Sequence, residues 1–213
     1  MGMNANVLIA DSQLSDAALA ELDLEPLGVD LTAEAVLLTP SEFRASVVRT
    51  EGQTIIIDGS DTLAVAIDGP GLTLPGRVLF AASVSTVDFS DLLIVDDGRV
   101  VRHLRQEEGT ISIDEGEPLA AESEFLVSAD ASADSDEIEN GETADEVEVD
   151  GDLLIQRLPV LAGMREDTDL FALTGTAFAS SSGREFGESQ SPTGDPAALA
   201  PAKRGFFTRL FGR

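Results

Sequence analysis

Between Arg44 and Ile113 the chain is a succession of short β-branched segments separated by Gly- and Asp-containing turns. Several strands at such short spacing imply one mostly antiparallel sheet. Residues 46–49 and 54–57 are rich in Val and Ile, with Glu51-Gly52 between them as a hairpin turn. Residues 63–67 read as a further strand, bounded by Asp58-Gly59 and by Asp68-Gly69-Pro70-Gly71. Residues 78–84 and 92–95 follow. Asp97-Gly98 then supplies positive φ at low cost, and residues 100–104 return antiparallel.

The flanks read as mixed structure. Residues 6–10 form a short buried strand. Ser15 can cap a helix whose apolar face is Ala18, Leu19 and Leu22, and Pro26 and Gly28 end that unit. Residues 36–38 form a second apolar run closed by Thr39-Pro40. Residues 152–158 resume structure and are halted by Pro159. A helix over residues 168–178 would bury Leu170, Phe171, Thr174 and Phe178. The expected fold is α+β: a single mostly antiparallel β-sheet with an N-terminal helix and C-terminal helices on one face. The core must be aliphatic, because the chain has ten Phe and no Trp or Tyr.

Charge divides the remainder. The formal net charge is −27, and no Lys or Arg lies between Arg105 and Arg157. Residues 130–152 hold eleven carboxylates with little apolar surface to offset chain entropy, which predicts a disordered acidic insertion. The expected organisation is an α+β domain of residues 5–127 together with 152–178, an insertion of residues 128–151, a flexible linker of residues 179–201 and a tail of residues 202–213. An acidic domain repels phosphate, so no nucleic-acid partner is expected. The N-terminus lacks the basic and apolar regions of a signal peptide. No apolar run approaches the roughly 20 residues that span a bilayer. A cytoplasmic location is expected, peripheral at the inner face of the membrane if the tail engages lipid.

The segment Ser83-Val-Ser-Thr-Val-Asp-Phe-Ser-Asp-Leu-Leu-Ile-Val-Asp-Asp-Gly-Arg-Val-Val-Arg102 is followed by Gly109-Thr-Ile-Ser-Ile-Asp-Glu-Gly-Glu-Pro-Leu-Ala-Ala-Glu122. This resembles an uncharacterised family of actinobacterial domains of unknown function. In that family a strand, an Asp-Gly turn and an Arg-rich strand precede a Gly-x-Ile and a Gly-Glu-Pro-Leu-x-x-Glu stretch. The resemblance covers residues 6–178. It implies a fold unit and a bacterial source, and no reaction.

Catalytic signatures are weak. Without Cys there is no thiol catalysis and no Cys-type metal site. His103, the only histidine, sits among apolar neighbours on its strand and reads as structural or surface-lying. No Gly-x-Ser-x-Gly elbow accompanies it. EF-hand spacing fails from Asp134, where Ile138 and Glu139 occupy the fifth and sixth positions. It also fails from Asp130, where Gly141 stands in place of the closing Glu. No Gly-rich nucleotide loop follows a strand. No cofactor and no metal are expected.

The tail is the sharpest candidate. As a helix, Phe206, Phe207, Leu210 and Phe211 fall within an arc of about 140°, flanked by Arg209 and Arg213, with Lys203 and Arg204 preceding. That pattern suits an anionic membrane surface or a protein groove. The chain therefore reads as a non-enzymatic interaction or adaptor protein. Two alternatives stand beside it. One is an acidic inhibitor or immunity-type protein that masks a basic partner through residues 130–152. The other is a hydrolase whose carboxylates converge in space.

Overall fold

The computed structural model describes residues 4–39, 43–60, 62–67, 74–128 and 147–180. In chain order these form β1 (Asn4–Ala10), α1 (Asp16–Glu21), β2 (Leu24–Thr32), α2 (Ala33–Leu38), β3 (Ala45–Arg49), β4 (Thr54–Asp58) and α3 (Thr62–Ile67). There follow β5 (Arg77–Val84), β6 (Phe89–Asp96), β7 (Arg99–Glu107), β8 (Thr110–Gly116), β9 (Leu126–Ser128), β10 (Val147–Val149), α4 (Gly151–Leu161) and β11 (Thr174–Ser180). All described residues lie within one compact unit, Met1–Ser182.

One antiparallel sheet carries nine strands in the order β2-β11-β3-β4-β1-β5-β6-β7-β8. Its centre is covered on both faces. β4 is buried throughout and β1 at all but its first residue, so both read as continuous apolar runs rather than alternating ones. On one face Val7, Ile9, Ile55, Leu79, Leu92 and Leu104 join Leu154, Ile155 and Leu158 of α4 in a single core. Asp150 caps α4 by accepting from the Leu153 amide at 2.9 Å. The helix starts hard against the sheet. A Cβ on Gly151 would lie 2.4 Å from Ser83 Oγ and 2.6 Å from Ser90 Oγ, so any larger residue would displace both hydroxyls.

The central hairpin forms at Asp97-Gly98, with φ of +46° and +77°, and joins β6 to β7. The pair Glu108-Gly109, with φ of +51° and +73°, makes the next hairpin in the same way. Val101 is an extra residue in β7, since Ile94 and Val95 face Arg102 and Val100. Gly116, at φ +89°, lies over that bulge, and a Cβ there would sit 2.1 Å from the Val101 carbonyl oxygen.

Five expectations are corrected. Residues 63–67 are helical, in α3, not a strand. The cause is Asp58 at the end of β4: Oδ1 accepts from the Ser60 amide and hydroxyl, and Oδ2 accepts from the Leu63 amide. That carboxylate bends the chain into a helical turn. Residues 174–178 belong to β11, not to a C-terminal helix. Thr and Gly are poor helix formers, and Gly175 lets β11 close on β3, where a Cβ would meet the Val47 carbonyl oxygen at 2.5 Å. Pro26 and Gly28 do not end a unit but lie inside β2, an edge strand in which a missing amide is tolerated. Pro159 does not halt α4, which continues to Leu161 with Leu158 and Pro159 both buried. Finally, the last part of the acidic run is folded. Residues 147–149 form β10 against β9, and Gln106 clamps Val149, whose amide donates to Oε1 while Nε2 donates to its carbonyl at 3.4 Å. Residues 129–146 of the expected insertion lie outside the described residues.

Among the described residues no helix is long and apolar enough to cross a membrane.

Gly98 in the β6–β7 turn and Gly116 at the end of β8 separate backbone strain from steric exclusion. Gly98 has open space around its Cβ position, so Gly98→Ala is expected to cost only the left-handed backbone penalty, about 1–2 kcal/mol. Gly116→Ala adds a clash with the Val101 carbonyl and is expected to cost more. Urea unfolding of both variants checks this, and equal losses would contradict the packing at Gly116.

Candidate functional site

Two clusters of buried charge lie on β6, β7 and β8. In β7 every second residue from Arg102 faces the α4 core, which puts Arg102 on the same side as Leu104 and Gln106. A guanidinium there must be paired, because burying an isolated charge is prohibitive. Arg102 is 2% exposed. Its Nε and Nη2 each donate to Glu122 at 2.7 Å, in a fork-on-carboxylate pair. Nη1 donates to Asp114 and, at 3.0 Å, to the Glu115 carbonyl. Glu122 Oε1 also accepts from the Leu119 amide at 2.9 Å. This pins the short 3-10 helix Ala120–Glu124 onto the sheet. Hydrogen bonding to Glu122 holds the Arg102 guanidinium above its usual range, against the opposing effect of burial.

The other face of β7 carries a second cluster. Asp91 and Arg105 are directly opposite in the β6–β7 ladder and both are buried. Asp91 Oδ2 accepts from Arg105 Nε at 3.1 Å and from Nη2. Asp91 Oδ1 lies 3.0 Å from His103 Nε2, so that nitrogen carries the proton. The Arg105 guanidinium also sits 5.7 Å from the Phe89 ring centroid. Glu107, two residues on, is half-buried, and its Oε1 has no hydrogen-bond partner. Burial pushes its carboxyl above the usual range; Arg105 opposes that shift, while Asp91 and Glu108 add to it.

Chemically, the central carboxylate of each cluster is fully engaged. Each oxygen of Asp91 and of Glu122 already accepts a hydrogen bond from the protein. His103 therefore serves as a strand-to-strand tie to Asp91. Among the described residues no group of His, Cys, Asp or Glu is arranged to hold a metal ion. The expected site residues Lys203, Arg204, Phe206, Phe207, Arg209, Leu210, Phe211 and Arg213 lie outside the described residues. Sequence reasoning missed Asp91, Arg102, Arg105 and Glu122. The signal was present: Arg102 falls in phase with Leu104 on a strand whose alternate residues are apolar, and an inward cation calls for an acid elsewhere in the chain.

The chain matches no protein-family model, no curated protein and no solved structure.

Glu122→Ala takes the bidentate partner from buried Arg102 and leaves it only the largely exposed Asp114, so it should cost up to about 3–5 kcal/mol. Asp16→Ala removes the exposed Arg49–Asp16 pair and should cost no more than about 1 kcal/mol. Joining Arg102→Met to Glu122→Leu should recover most of the first loss, measured by urea unfolding. For Glu107, the folded-state pKa lies above the ordinary 4.5, so the folded state holds the proton more tightly. Its contribution favours folding below the unfolded value and is lost as pH rises through the folded one. Glu107→Gln should flatten that decline and raise the unfolding midpoint at neutral pH. An unchanged pH profile would show that burial does not govern this carboxyl.

Proposed function

We propose that this protein is a non-enzymatic interaction protein that docks weakly on an anionic membrane surface through its basic aromatic tail. The observation that carries the reading is where the cations are used. In the folded part Arg49, Arg102, Arg105, Arg157 and Arg165 each face a carboxylate. Residues 203–213 hold four cations and no acid, alongside Phe206, Phe207, Leu210 and Phe211. The engaged oxygens of Asp91 and Glu122 support a structural rather than a catalytic use of the interior acids. The resemblance to actinobacterial domains adds a shared fold unit and a bacterial source to this proposal, and no reaction.

Magnitudes favour a reversible contact. Three Phe and one Leu, partly buried, contribute about 3–6 kcal/mol. Each cation adds about 1 kcal/mol near an anionic surface. Ordering the segment costs about 1 kcal/mol or more per residue, and the acidic domain is repelled by the same surface. The balance is weak and salt-sensitive association.

Purified protein should sediment with phosphatidylglycerol-containing liposomes at low salt, and much less with phosphatidylcholine alone. Phe206→Ala combined with Phe207→Ala should abolish sedimentation, as should removal of residues 202–213. Indifference to anionic liposomes at low ionic strength would overturn the membrane reading and favour a protein groove. Retention on a column of strongly basic protein, lost on removal of residues 130–146, would favour the masking alternative.

A further inference from the structure

A surface groove of about 540 Å³ lies between α4 and the segment of residues 166–171. Its floor is apolar and fixed. Ile155 and Leu170 are buried, while Leu153 and Phe171 are partly buried and packed against the main core. Asp169 Oδ1 accepts from the Phe171 amide at 3.0 Å and the Ala172 amide at 3.3 Å, which sets the turn that presents Phe171.

The rim is acidic. Glu166, Asp167 and Asp169 line it against a single cation, Arg157. Arg157 is already drawn to Glu124 at 3.0 Å and to Glu166 at 3.3 Å. Asp167 pairs with Arg165, but both side chains are largely exposed, at 69% and 83%. Exposed pairs of that kind are worth about 0–1 kcal/mol, so an incoming cation can replace one at little cost. The groove is thus large enough for several side chains, apolar below and negative above.

We propose that this groove docks a basic peptide segment of a partner protein, an Arg or Lys flanked by a large apolar residue. Charge complementarity decides the class. An acidic rim on a strongly acidic domain rejects phosphates, nucleic acid and anionic lipid. An apolar floor gives nothing to a bare hydrated cation. A side chain with an aliphatic stem and a cationic head satisfies both, with the neighbouring apolar residue filling the floor. This surface is not the membrane contact proposed for the tail, since an acidic rim is repelled by anionic membranes.

The test uses the isotope-labelled full-length protein and a synthetic heptapeptide alternating arginine with leucine. Amide shifts are expected at residues 153–157 and 166–171. Glu166→Lys with Asp167→Lys should weaken binding about tenfold, while Glu21→Lys with Glu25→Lys, on α1 and β2, should change it less than about twofold. Both altered pairs are exposed, so thermal midpoints report that folding is intact. Replacing the arginines of the peptide by glutamine should abolish binding. Four results would overturn the proposal: no binding, shifts centred on residues 129–146, equal weakening by the two reversals, or spermine binding as tightly as the peptide.

Discussion

Two arginines on opposite faces of one strand set the terms for this fold. β7 buries Arg102 against the α4 core and Arg105 against the other side of the sheet. Neither can be inside without an acid, so each selects its partner. Asp91 comes from the adjacent strand and fixes the β6–β7 register at Asp91↔Arg105. Glu122 comes from beyond β8 and brings the Ala120–Glu124 turn down onto the sheet. From there Phe125 enters the core, and its carbonyl accepts from the Asp150 amide next to the start of α4. Such pairs are poor sources of net stability compared with apolar packing, but they are costly to break. Their effect is to make one arrangement of β6, β7 and β8 far better than its neighbours in register.

A nine-stranded open sheet also has two edges to protect. β2 meets β11 through an irregular stretch in which Thr176 and Phe178 face Asp30 and Pro26. Leu27, Gly28 and Val29 bow out there, Gly28 at φ +71°, and Pro26 offers no amide. β8 carries Ser112 as an extra residue opposite the Arg105–Gln106 step and ends in Asp114, Glu115 and Gly116. Bulges, proline and charge thus interrupt both rows of free backbone groups. The acidic composition contributes as well, since like charges oppose edge-to-edge pairing of two copies.

Much of the sheet was legible in the sequence because local signals and burial agreed there. The 46–57 hairpin, the Asp97-Gly98 turn and the apolar run 6–10 each carried their own turn residues or uninterrupted Val and Ile. What escaped was set by distant partners. Residues 174–178 look amphipathic at helical spacing, yet Gly175 is there to meet β3, some 130 residues earlier in the chain. Residues 63–67 have strand-like composition, but the Asp58 carboxylate organises the turn before them. The end of the acidic run looked unfoldable by composition. Val149 is nonetheless held by Gln106, 43 residues away. The interior ion pairs were half visible: the inward phase of Arg102 could be read, but its acid could not, because 40 carboxylates compete for the role.

The fold that results is acidic, and the cations of its interior ion pairs are spent on its own architecture. Native-state hydrogen exchange measures the central claim most directly, namely that the paired charges lock β6, β7 and β8 into the global core. The account predicts that amides of Leu92, Ile94, Leu104 and Arg105 exchange only through global unfolding, as slowly as those of β1 and β4, while β2 exchanges locally. It further predicts that Glu122→Ala speeds exchange in β7 and β8 more than in β3 and β4. Exchange in β7 as fast as in β2, or insensitive to Glu122→Ala, would contradict it.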